Sequence, residues 1–311
     1  MLKKINLAVV FYGDRSLSLV RRRQFKDLSK LLTSFYVKKY YFNASGRRRL
    51  LKDFQAGNLD IVLKNSHGRG HENDVELFLE KNNIPFLGSG SRATLIGTSK
   101  YLSKQRFKAH RLPVAEDLHV SQKIWRRTRA RVINFVEDKL NYPCIVKDVG
   151  GSDSRGLYFI RHEEKLKEVM NRLMRRNVEV IIEKFISRTQ EATCLVVGNR
   201  RAVAYEPVEI VKDNDFFSSA DKDHGACLFR LPARLSPPLI KAVKQLSASA
   251  HRSLGCRTFS RADILIKGKK LYLLEVDIHP GFQSISPTFK SARFIGESPD
   301  ELFLKFYKST L

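Results

Sequence analysis

Acidic residues are scarce relative to basic ones in this sequence, which has 32 Asp and Glu but 57 Lys and Arg in 311 residues. The formal charge of +25 at pH 7 favours partners that carry phosphate, such as nucleotides, nucleic acid or an anionic membrane surface. The basic residues are distributed along the chain in short groups and do not form one basic tail. A basic enzyme that binds nucleotide phosphates is therefore the simpler interpretation. Nucleic-acid binding is an alternative that we do not expect.

Cysteine is also rare, and the sequence has no long apolar run. The four cysteines, Cys144, Cys194, Cys227 and Cys256, are far apart, which excludes the spacing of a zinc site. They are typical of reduced thiols in a cytosolic protein. No apolar stretch is long enough to span a bilayer, and there is no internal repeat or low-complexity tract. We therefore expect a cytoplasmic protein without a membrane span.

The first third of the chain has the pattern of a parallel α/β domain, because predicted strands alternate with helices. The predicted strands are residues 5–12, 34–42, 59–63 and 84–86. A basic amphipathic helix is predicted at about 17–32, and the segment NASGRRR (43–49) is predicted to be a loop. Ligands bind such sheets at the carboxyl ends of the strands. Asp14 and His67 follow predicted strands and are candidate ligand contacts, with an ordinary loop role as the alternative for His67.

The middle of the chain contains a candidate phosphate-binding segment. A predicted strand at 142–147 ends in Lys147 and leads into a loop rich in glycine and serine, residues 150–156. Such a loop can fold its backbone N–H groups over phosphates, although an ordinary hairpin loop has the same composition. The very basic helix predicted at 125–140 is interpreted as a solvated face. The helix that follows Lys147 has an apolar face that predicts core positions at Leu166, Val169, Met170, Leu173 and Met174.

A predicted hairpin near the C-terminus carries three carboxylates. The runs RADILI and LYLLEVDI are rich in branched residues and are separated by a tight turn at 267–270. Glu275 and Asp277 are two residues apart and share one face of the sheet, and Asp263 and Arg261 lie on the partner strand. Converging carboxylates repel unless a cation lies between them, and Mg²⁺ prefers oxygen ligands. A hairpin with a solvated acidic face is the alternative.

The hairpin resembles the C-terminal hairpin of D-alanine–D-alanine ligases in the ATP-grasp superfamily. That family has Arg-x-Asp, then Glu-x-Asn, then Pro-Gly, and the present sequence has Arg261-Ala-Asp263, Glu275-Val-Asp277 and Pro280-Gly281. Aspartate replaces the family's asparagine here, but both residues offer an oxygen to a cation. The segment HGRGHENDVELFLEKNNIPFLGSG is similar to a second block of the family, His-Gly-x-x-Gly-Glu-Asp-Gly followed by Ile-Pro-Tyr-x-Gly. It departs from that block at His71 and Asp74.

Further motifs extend the resemblance over nearly the whole chain, beginning at Asp14. GTSKYLSK is similar to the family's Asp-Lys-x-x-(Ser/Thr)-Lys, and 146–156 is similar to Val-Lys-Pro followed by Gly-Ser-Ser-x-Gly. Asp148 replaces the proline of that motif, and Asp153 replaces one of its serines. The family's N-terminal Gly-Gly-x-Ser-x-Glu motif is poorly kept, although Asp14 lies where its glutamate would be.

The resemblance implies an α/β protein of the ATP-grasp fold, with an N-terminal parallel α/β domain and two α+β domains that clasp ATP. The implied boundaries are 1–95 for the N-terminal substrate domain, 96–187 for the central ATP-grasp domain and 188–311 for the C-terminal ATP-grasp domain. The last of these would contain the hairpin that binds Mg²⁺ and the oxyanion.

The resemblance also implies roles for individual residues. The implied catalytic residues are Asp14, Lys222, Arg261 and Gly281. The implied nucleotide-binding residues are Lys100, Lys147, Ser152, Ser154, Glu183, Lys184, Ile186 and Glu191. The implied substrate-binding residues are Asp14, His67, Asp153, Arg261, Gly281 and Ser286. The implied ligands of two Mg²⁺ ions, with Mn²⁺ as the alternative metal, are Asp263, Glu275 and Asp277.

The activity that the resemblance implies is an ATP-dependent ligation of two amino acids through an acyl phosphate, giving the D-alanyl-D-alanine precursor of peptidoglycan. ATP and amino acids are the expected partners, and a homodimer is left open. A ligase of the same fold with another amino-acid or peptide substrate is one alternative. A basic nucleic-acid-associated protein on an ATP-grasp scaffold is the other. The polar loop 212–225, which contains Lys222, would close the site and bring Asp223 or His224 towards the second substrate.

Overall fold

The N-terminal region forms a parallel sheet covered by helices. The computed structural model describes residues 4–12, 19–65, 73–151, 156–211 and 228–311. Within these residues the first sheet has the strand order β2-β1-β3-β4 and its neighbouring strands run parallel. Its elements are β1 (Ile5–Tyr12), α1 (Leu19–Leu31), β2 (Phe35–Phe42), α2 (Ala44–Gln55), β3 (Ile61–Lys64), α3 (Asp74–Lys81) and β4 (Phe86–Leu87). The predicted parallel α/β architecture is confirmed.

The predicted loop at 43–49 is wrong, because α2 begins at Ala44. The Asn43 side chain accepts a hydrogen bond from the Gly46 N–H at 2.9 Å, which satisfies one of the unpaired donors of the first helical turn. Leu50 is buried and anchors the helix to the sheet. The three consecutive arginines, 47–49, therefore lie on the exposed side of a helix.

The central region contains a four-stranded antiparallel sheet, with the helices at 122–135 and 163–175 packed on one face. Its elements are α4 (Ser91–Thr98), α5 (Lys100–Ala109), β5 (Asp117–Val120), α6 (Gln122–Phe135), a π-helical turn (Val136–Leu140), β6 (Cys144–Asp148), β7 (Leu157–Ile160), α7 (Glu163–Arg175) and β8 (Val180–Lys184). The strand order is β5-β8-β6-β7. Trp125 of α6 and the predicted apolar face of α7 pack in one core with Val146 and Ile182, which confirms the predicted core positions.

The C-terminal region is a larger antiparallel sheet that contains the predicted hairpin. Its elements are β9 (Gln190–Val197), β10 (Val203–Ala204), β11 (Val208–Val211), β12 (Leu228–Arg230), α8 (Pro237–Leu254), β13 (Phe259–Lys267), β14 (Lys270–Asp277), α9 (Pro287–Phe294) and α10 (Pro299–Lys308). Strands β12-β11-β9-β13-β14 are adjacent in that order, and β10 pairs with β9. Gly268, in the turn between β13 and β14, has a φ of 58°, which glycine adopts without strain.

The N-terminal and C-terminal regions share a hydrophobic core. Phe11 of β1 and Leu63 of β3 belong to the same buried cluster as Phe259, Phe282 and Phe303. The shared core holds the carboxyl ends of the first sheet beside the end of the hairpin, where the substrate residues are predicted. Among the described residues, no helix is both long and apolar enough to cross a bilayer.

Candidate active site

The hairpin places its charged residues on one face, as predicted. Asp263 is paired with Glu275 across β13 and β14, and Arg261 is paired with Asp277. Residues that face each other in this way have neighbouring side chains. The register shifts between Asp263 and Ile264, so a bulge follows the acidic pair. We call β13 and β14 with these three carboxylates the acidic hairpin.

Arg261 compensates two carboxylates of the acidic hairpin. Its Nε lies 3.4 Å from Oδ1 of Asp263, and its Nη2 lies 3.5 Å from Oδ2 of Asp277. Thr193 on the neighbouring strand also donates a hydrogen bond to Asp263 Oδ1. Burial by itself would lower the pKa of Arg261, but the two aspartates raise it above its ordinary value, so the guanidinium stays charged.

Asp263, Glu275 and Asp277 differ in burial: Asp263 is 8% exposed, Asp277 is half-buried and Glu275 is exposed. No group of three or more His, Cys, Asp or Glu is assembled as a metal site within the described residues. Arg261 lies between the two aspartates, which explains why they do not converge on one point. The residues still fit Mg²⁺, because this ion commonly takes one or two carboxylates and completes its coordination with phosphate oxygens and water.

A group of lysines in the central region forms the basic counterpart of the acidic hairpin, and we call Lys100, Lys104 and Lys147 the lysine cluster. Glu183, which is 6% exposed, accepts hydrogen bonds from Lys104 at 2.7 Å and Lys147 at 2.6 Å. Burial would raise the pKa of Glu183, but the two ammonium groups lower it to about 2. Burial likewise opposes the charge on Lys147, and Glu183 outweighs it, so the pKa of Lys147 is raised.

Lys100 is the first residue of α5, and Ser99 caps that helix by accepting a hydrogen bond from the Leu102 N–H. The Lys100 ammonium donates a hydrogen bond to the Gly151 carbonyl, and the Lys100 N–H donates one to the Val149 carbonyl at 3.1 Å. The lysine is thereby tied to the start of the glycine-rich loop.

The lysine cluster and the acidic hairpin act on each other electrostatically. Burial lowers the pKa of Lys100, and the charge of Glu275 opposes this effect. Glu275 and Glu191 also contribute to the raised pKa of Lys147. Glu275 lies on β14 of the large sheet, whereas Lys147 lies on β6 of the central sheet. Glu275 of the large sheet is therefore near enough to Lys100 and Lys147 to act on their charges. Acidic and basic groups brought together in this way can contact a phosphate chain and its cations.

The segment that joins the two sheets contains the predicted adenine and ribose contacts. The N–H of Lys184 donates a hydrogen bond to the Glu116 carbonyl at 2.9 Å, so this N–H is already engaged. Lys184 and Ile186 are half-buried, as is Glu191 on β9. The charge of Glu191 reaches Lys147, which brings the predicted ribose residue towards the phosphate end of the site.

After β14 the chain bends at Ile278 and His279, just before Pro280 and Gly281. The His279 N–H donates a hydrogen bond to Asp277 Oδ1 at 3.0 Å, which stabilises this bend. A Cβ atom on Gly281 would lie 3.1 Å from Oε1 of Gln283, so a larger residue would require the end of that side chain to shift slightly. Ser286 is buried and caps α9 by accepting a hydrogen bond from the Phe289 N–H at 3.4 Å. Its predicted contact with a substrate carboxylate remains a prediction.

Comparisons with known proteins identify the family of this site. Residues 107–306 match the family model described as D-ala D-ala ligase C-terminus. The chain is 28% identical over 248 residues to the D-alanine–D-alanine ligase of Acetivibrio thermocellus, a match that covers 78% of this chain and 66% of that protein. It is 31% identical over 251 residues to the D-alanine–D-alanine ligase of Leptospira interrogans, covering 78% and 71% respectively. These matches span about two thirds of the length of the two relatives.

The chain belongs to the D-alanine–D-alanine ligase family. Its fold is also similar to the crystal structure of D-alanine–D-alanine ligase from Bacillus anthracis complexed with ATP, with a TM-score of 0.79 at 22% identity, covering 98% of this chain and 97% of that chain. The predicted membership and ATP-grasp fold are confirmed. The prediction of an ATP-dependent ligase is confirmed at the level of this family.

Several residues that the ligase resemblance marks lie outside the described residues. They are Asp14, His67, Ser152, Asp153, Ser154 and Lys222, together with Asp223 and His224 of the closing loop. Their roles stay predictions.

The sequence analysis did not identify a buried charged group that connects the N-terminal region with the segment after β14. Lys64 of β3 donates hydrogen bonds to both carboxylate oxygens of Glu76 at 3.0 Å, and His279 Nε2 lies 3.2 Å from Oε1 of Glu76. Burial would raise the pKa of Glu76, but His279 and Lys64 lower it. Glu76 therefore links Lys64 of the N-terminal sheet to His279, two residues before Gly281. A glutamate between Val75 and Leu79 on a buried helix face was the signal that could have indicated it.

Proposed function

We propose that this chain is an ATP-dependent ligase that joins two molecules of D-alanine, giving a dipeptide precursor of peptidoglycan. The observation that carries the proposal is the presence of two charged groups: the lysine cluster, in which Glu183 contacts Lys104 and Lys147 at 2.7 and 2.6 Å, and the acidic hairpin, in which Arg261 contacts Asp263 and Asp277 at 3.4 and 3.5 Å. The names of the relatives support D-alanine as the substrate. The cytoplasm is its predicted location.

The central region would bind the nucleotide. Lys100 and Lys147 would contact phosphate oxygens as point charges, and Glu183 would hold Lys147 in place. Because the Lys184 N–H is engaged with Glu116, the Lys184 carbonyl and the Ile186 N–H are the groups proposed to recognise adenine. Glu191 would accept hydrogen bonds from the ribose. Ser152, Ser154 and Lys222 are proposed to complete the phosphate contacts.

The acidic hairpin would hold the metal ions that accompany ATP. Asp263, Glu275 and Asp277 are the proposed ligands of two Mg²⁺ ions, with Mn²⁺ as the alternative. When bound, the ions supply positive charge that neutralises the phosphate oxygens. Arg261 contacts both aspartates, at 3.4 Å and 3.5 Å, and would share them with the ions.

The reaction would proceed in two steps. The carboxylate of the first D-alanine attacks the terminal phosphorus of ATP, which forms an acyl phosphate and releases ADP. The neutral amine of the second D-alanine then attacks the acyl carbon, and inorganic phosphate leaves as the amide forms. Arg261 and the Gly281 N–H are proposed to stabilise the oxyanion of the tetrahedral intermediate. Asp14, His67, Asp153 and Ser286 are the proposed substrate contacts.

Phosphate release tests this function. The protein is incubated with ATP and Mg²⁺ and with each member of a panel of D- and L-amino acids, and the products are identified by mass spectrometry. We expect release that requires D-alanine and forms D-alanyl-D-alanine. Release that requires a different amino acid would establish the ligase with another substrate, and release that no amino acid stimulates would reject the ligase function.

A further inference from the structure

A cleft between α6 and α7 lies outside the proposed active site. It has a volume of about 310 Å³ and is lined by Trp125, Arg126, Arg129, Asn171, Met174 and Arg175. We call it the arginine cleft. Three of its six lining residues carry a permanent positive charge, and none is acidic.

The arginines of this cleft have no acidic partner among the residues that the structure describes. Arg126, Arg129 and Arg175 are exposed, and none of them forms an ion pair with any residue that the structure describes. Helix α6 contains no Asp or Glu at all. Guanidinium groups that converge on one cleft repel each other, and a multiply charged anion between them would relieve this repulsion. Phosphate groups match the planar fork of guanidinium donors in geometry as well as charge.

Hydrogen bonds between α6 and α7 stabilise the floor of the cleft. Trp125 is 4% exposed, and its Nε1 donates a hydrogen bond to Oδ1 of Asn171 at 3.0 Å. Gln122 Nε2 donates one to the Met174 carbonyl at 2.8 Å, so α6 and α7 are fixed side by side. The Arg129 guanidinium lies over the Trp125 ring, 5.2 Å from its centroid, which positions this charge at the cleft.

The size and the aromatic content of the cleft decide which class of anion it fits. Single-stranded nucleic acids are bound on exposed aromatic rings that stack with bases, but Trp125 is buried and its face is covered by Arg129. A volume of about 310 Å³ is at the small end of ligand pockets. The features therefore favour a compact anion with several phosphate groups over a nucleic-acid strand.

The arginine cleft and the proposed ATP site lie on opposite faces of the central sheet. Val146 and Ile182 point into the core beneath α6 and α7. Lys147 and Glu183 are the next residues along the same strands, so their side chains point to the other face. An anion in the arginine cleft would not compete with ATP for the lysine cluster.

We propose that the arginine cleft is a second anion site, which binds a compact polyphosphate. Trp125 is the only tryptophan in the chain, so its fluorescence reports on this cleft. Inorganic tripolyphosphate, titrated into the full-length protein, is expected to change the Trp125 emission and to saturate. The double variant Arg126→Gln/Arg175→Gln should weaken this binding at least tenfold, because each arginine contributes a charge-assisted contact.

The matched control removes two positive charges outside the arginine cleft. Arg200 and Arg201 are exposed in the turn between β9 and β10, and Arg200→Gln/Arg201→Gln should bind tripolyphosphate as the unmodified protein does. The active-site variant Lys100→Gln should also keep the Trp125 response. The proposal is overturned if no saturable change occurs, if both double variants weaken binding equally, or if Lys100→Gln abolishes the response. It is also overturned if a thymidine 20-mer binds the cleft with a steep salt dependence while tripolyphosphate does not.

Discussion

The lysine cluster and the acidic hairpin are both compensated by a residue of opposite charge, Glu183 and Arg261 respectively, but the contacts differ. Glu183 is buried between Lys104 and Lys147, with contacts of 2.7 and 2.6 Å. Arg261 lies between two aspartates at 3.4 and 3.5 Å, and Glu275 beside them is exposed. Short buried contacts make the basic side part of the folded structure. On the acidic side Asp263 is buried as well, but Glu275 is exposed and Asp277 is half-buried, so these two carboxylates can take up a ligand without breaking a buried contact.

The largest effect is expected from Glu275→Gln, which changes the exposed carboxylate of the acidic hairpin. The substitution removes one charge and little volume from an exposed position, so the fold should be unaffected. Phosphate release in the presence of ATP, Mg²⁺ and D-alanine should fall by orders of magnitude, since a proposed metal ligand is lost. The midpoint of urea unfolding should stay the same. Near-normal turnover would reject the assignment of Glu275 to the metal.

The corresponding change on the basic side, Glu183→Gln, should instead reduce stability. It leaves Lys147 buried without its carboxylate partner, whereas Lys104 keeps Asp117 at 3.4 Å. Breaking a buried pair in this way costs about 3–5 kcal/mol. Urea unfolding measures the loss. Glu164→Gln is the control, because Glu164 is an exposed partner of His162 and should not change the midpoint measurably. Equal stability of both variants would mean that Glu183 does not organise the lysines.

Acid should destabilise this protein over two pH ranges that follow each other. The lowered pKa of Glu183, about 2, gives a stabilisation that is present above the unfolded value of 4.5 and is lost as the pH falls from there towards 2. His251 has a pKa of about 4, lowered from 6.5 chiefly by burial. Its unfolded form takes up a proton first, so stability is lost as the pH falls from 6.5 to 4.

The buried His251 accounts for the upper pH range. A fall in pH from above 6.5 to below 4 should lower the free energy of unfolding by about 3 kcal/mol through this residue. His251 Nε2 lies 3.1 Å from the Gly198 carbonyl, and Nδ1 lies 2.8 Å from Ser260 Oγ, so the neutral ring is well accommodated. His251→Gln should flatten the pH dependence between 6.5 and 4.5, measured by urea unfolding at each pH. An unchanged slope in that variant would show that other groups titrate there.

The acidic hairpin could be predicted from the sequence because its features are local. Alternation along a strand decides which side chains share a face, and a glycine marks the turn, so the sequence alone predicts one common face for Asp263, Glu275 and Asp277. The core face of α7 could be predicted in the same way, because the helical period defines it. Both predictions depend only on residues that are close together in the sequence.

The pairing of Glu183 with the lysine cluster could not be predicted, because it depends on residues that are far apart in the chain. Lys104 and Glu183 are 79 residues apart and meet only after the central sheet has formed. The Glu76–His279 contact has the same origin. The wrong prediction at α2 has a local cause, since the segment NASGRRR has the composition of a loop although Asn43 caps a helix there. The charge pattern of the sequence shows which residues are charged, and the packing of distant segments determines which of them pair.

The smallest effect is expected from Asp277→Asn, which restores the residue that the family has at this position. Asparagine keeps an oxygen that can accept the His279 N–H bond now made at 3.0 Å, and Arg261 retains Asp263 at 3.4 Å. One negative charge fewer should raise the Mg²⁺ concentration needed for half-maximal turnover several-fold, while turnover at saturating Mg²⁺ stays within about tenfold. Asp263→Asn is the matched comparison and should be more harmful, because Asp263 is buried and also accepts the Thr193 hydrogen bond. Complete loss of activity in Asp277→Asn would show that this carboxylate has a function that an amide oxygen cannot supply.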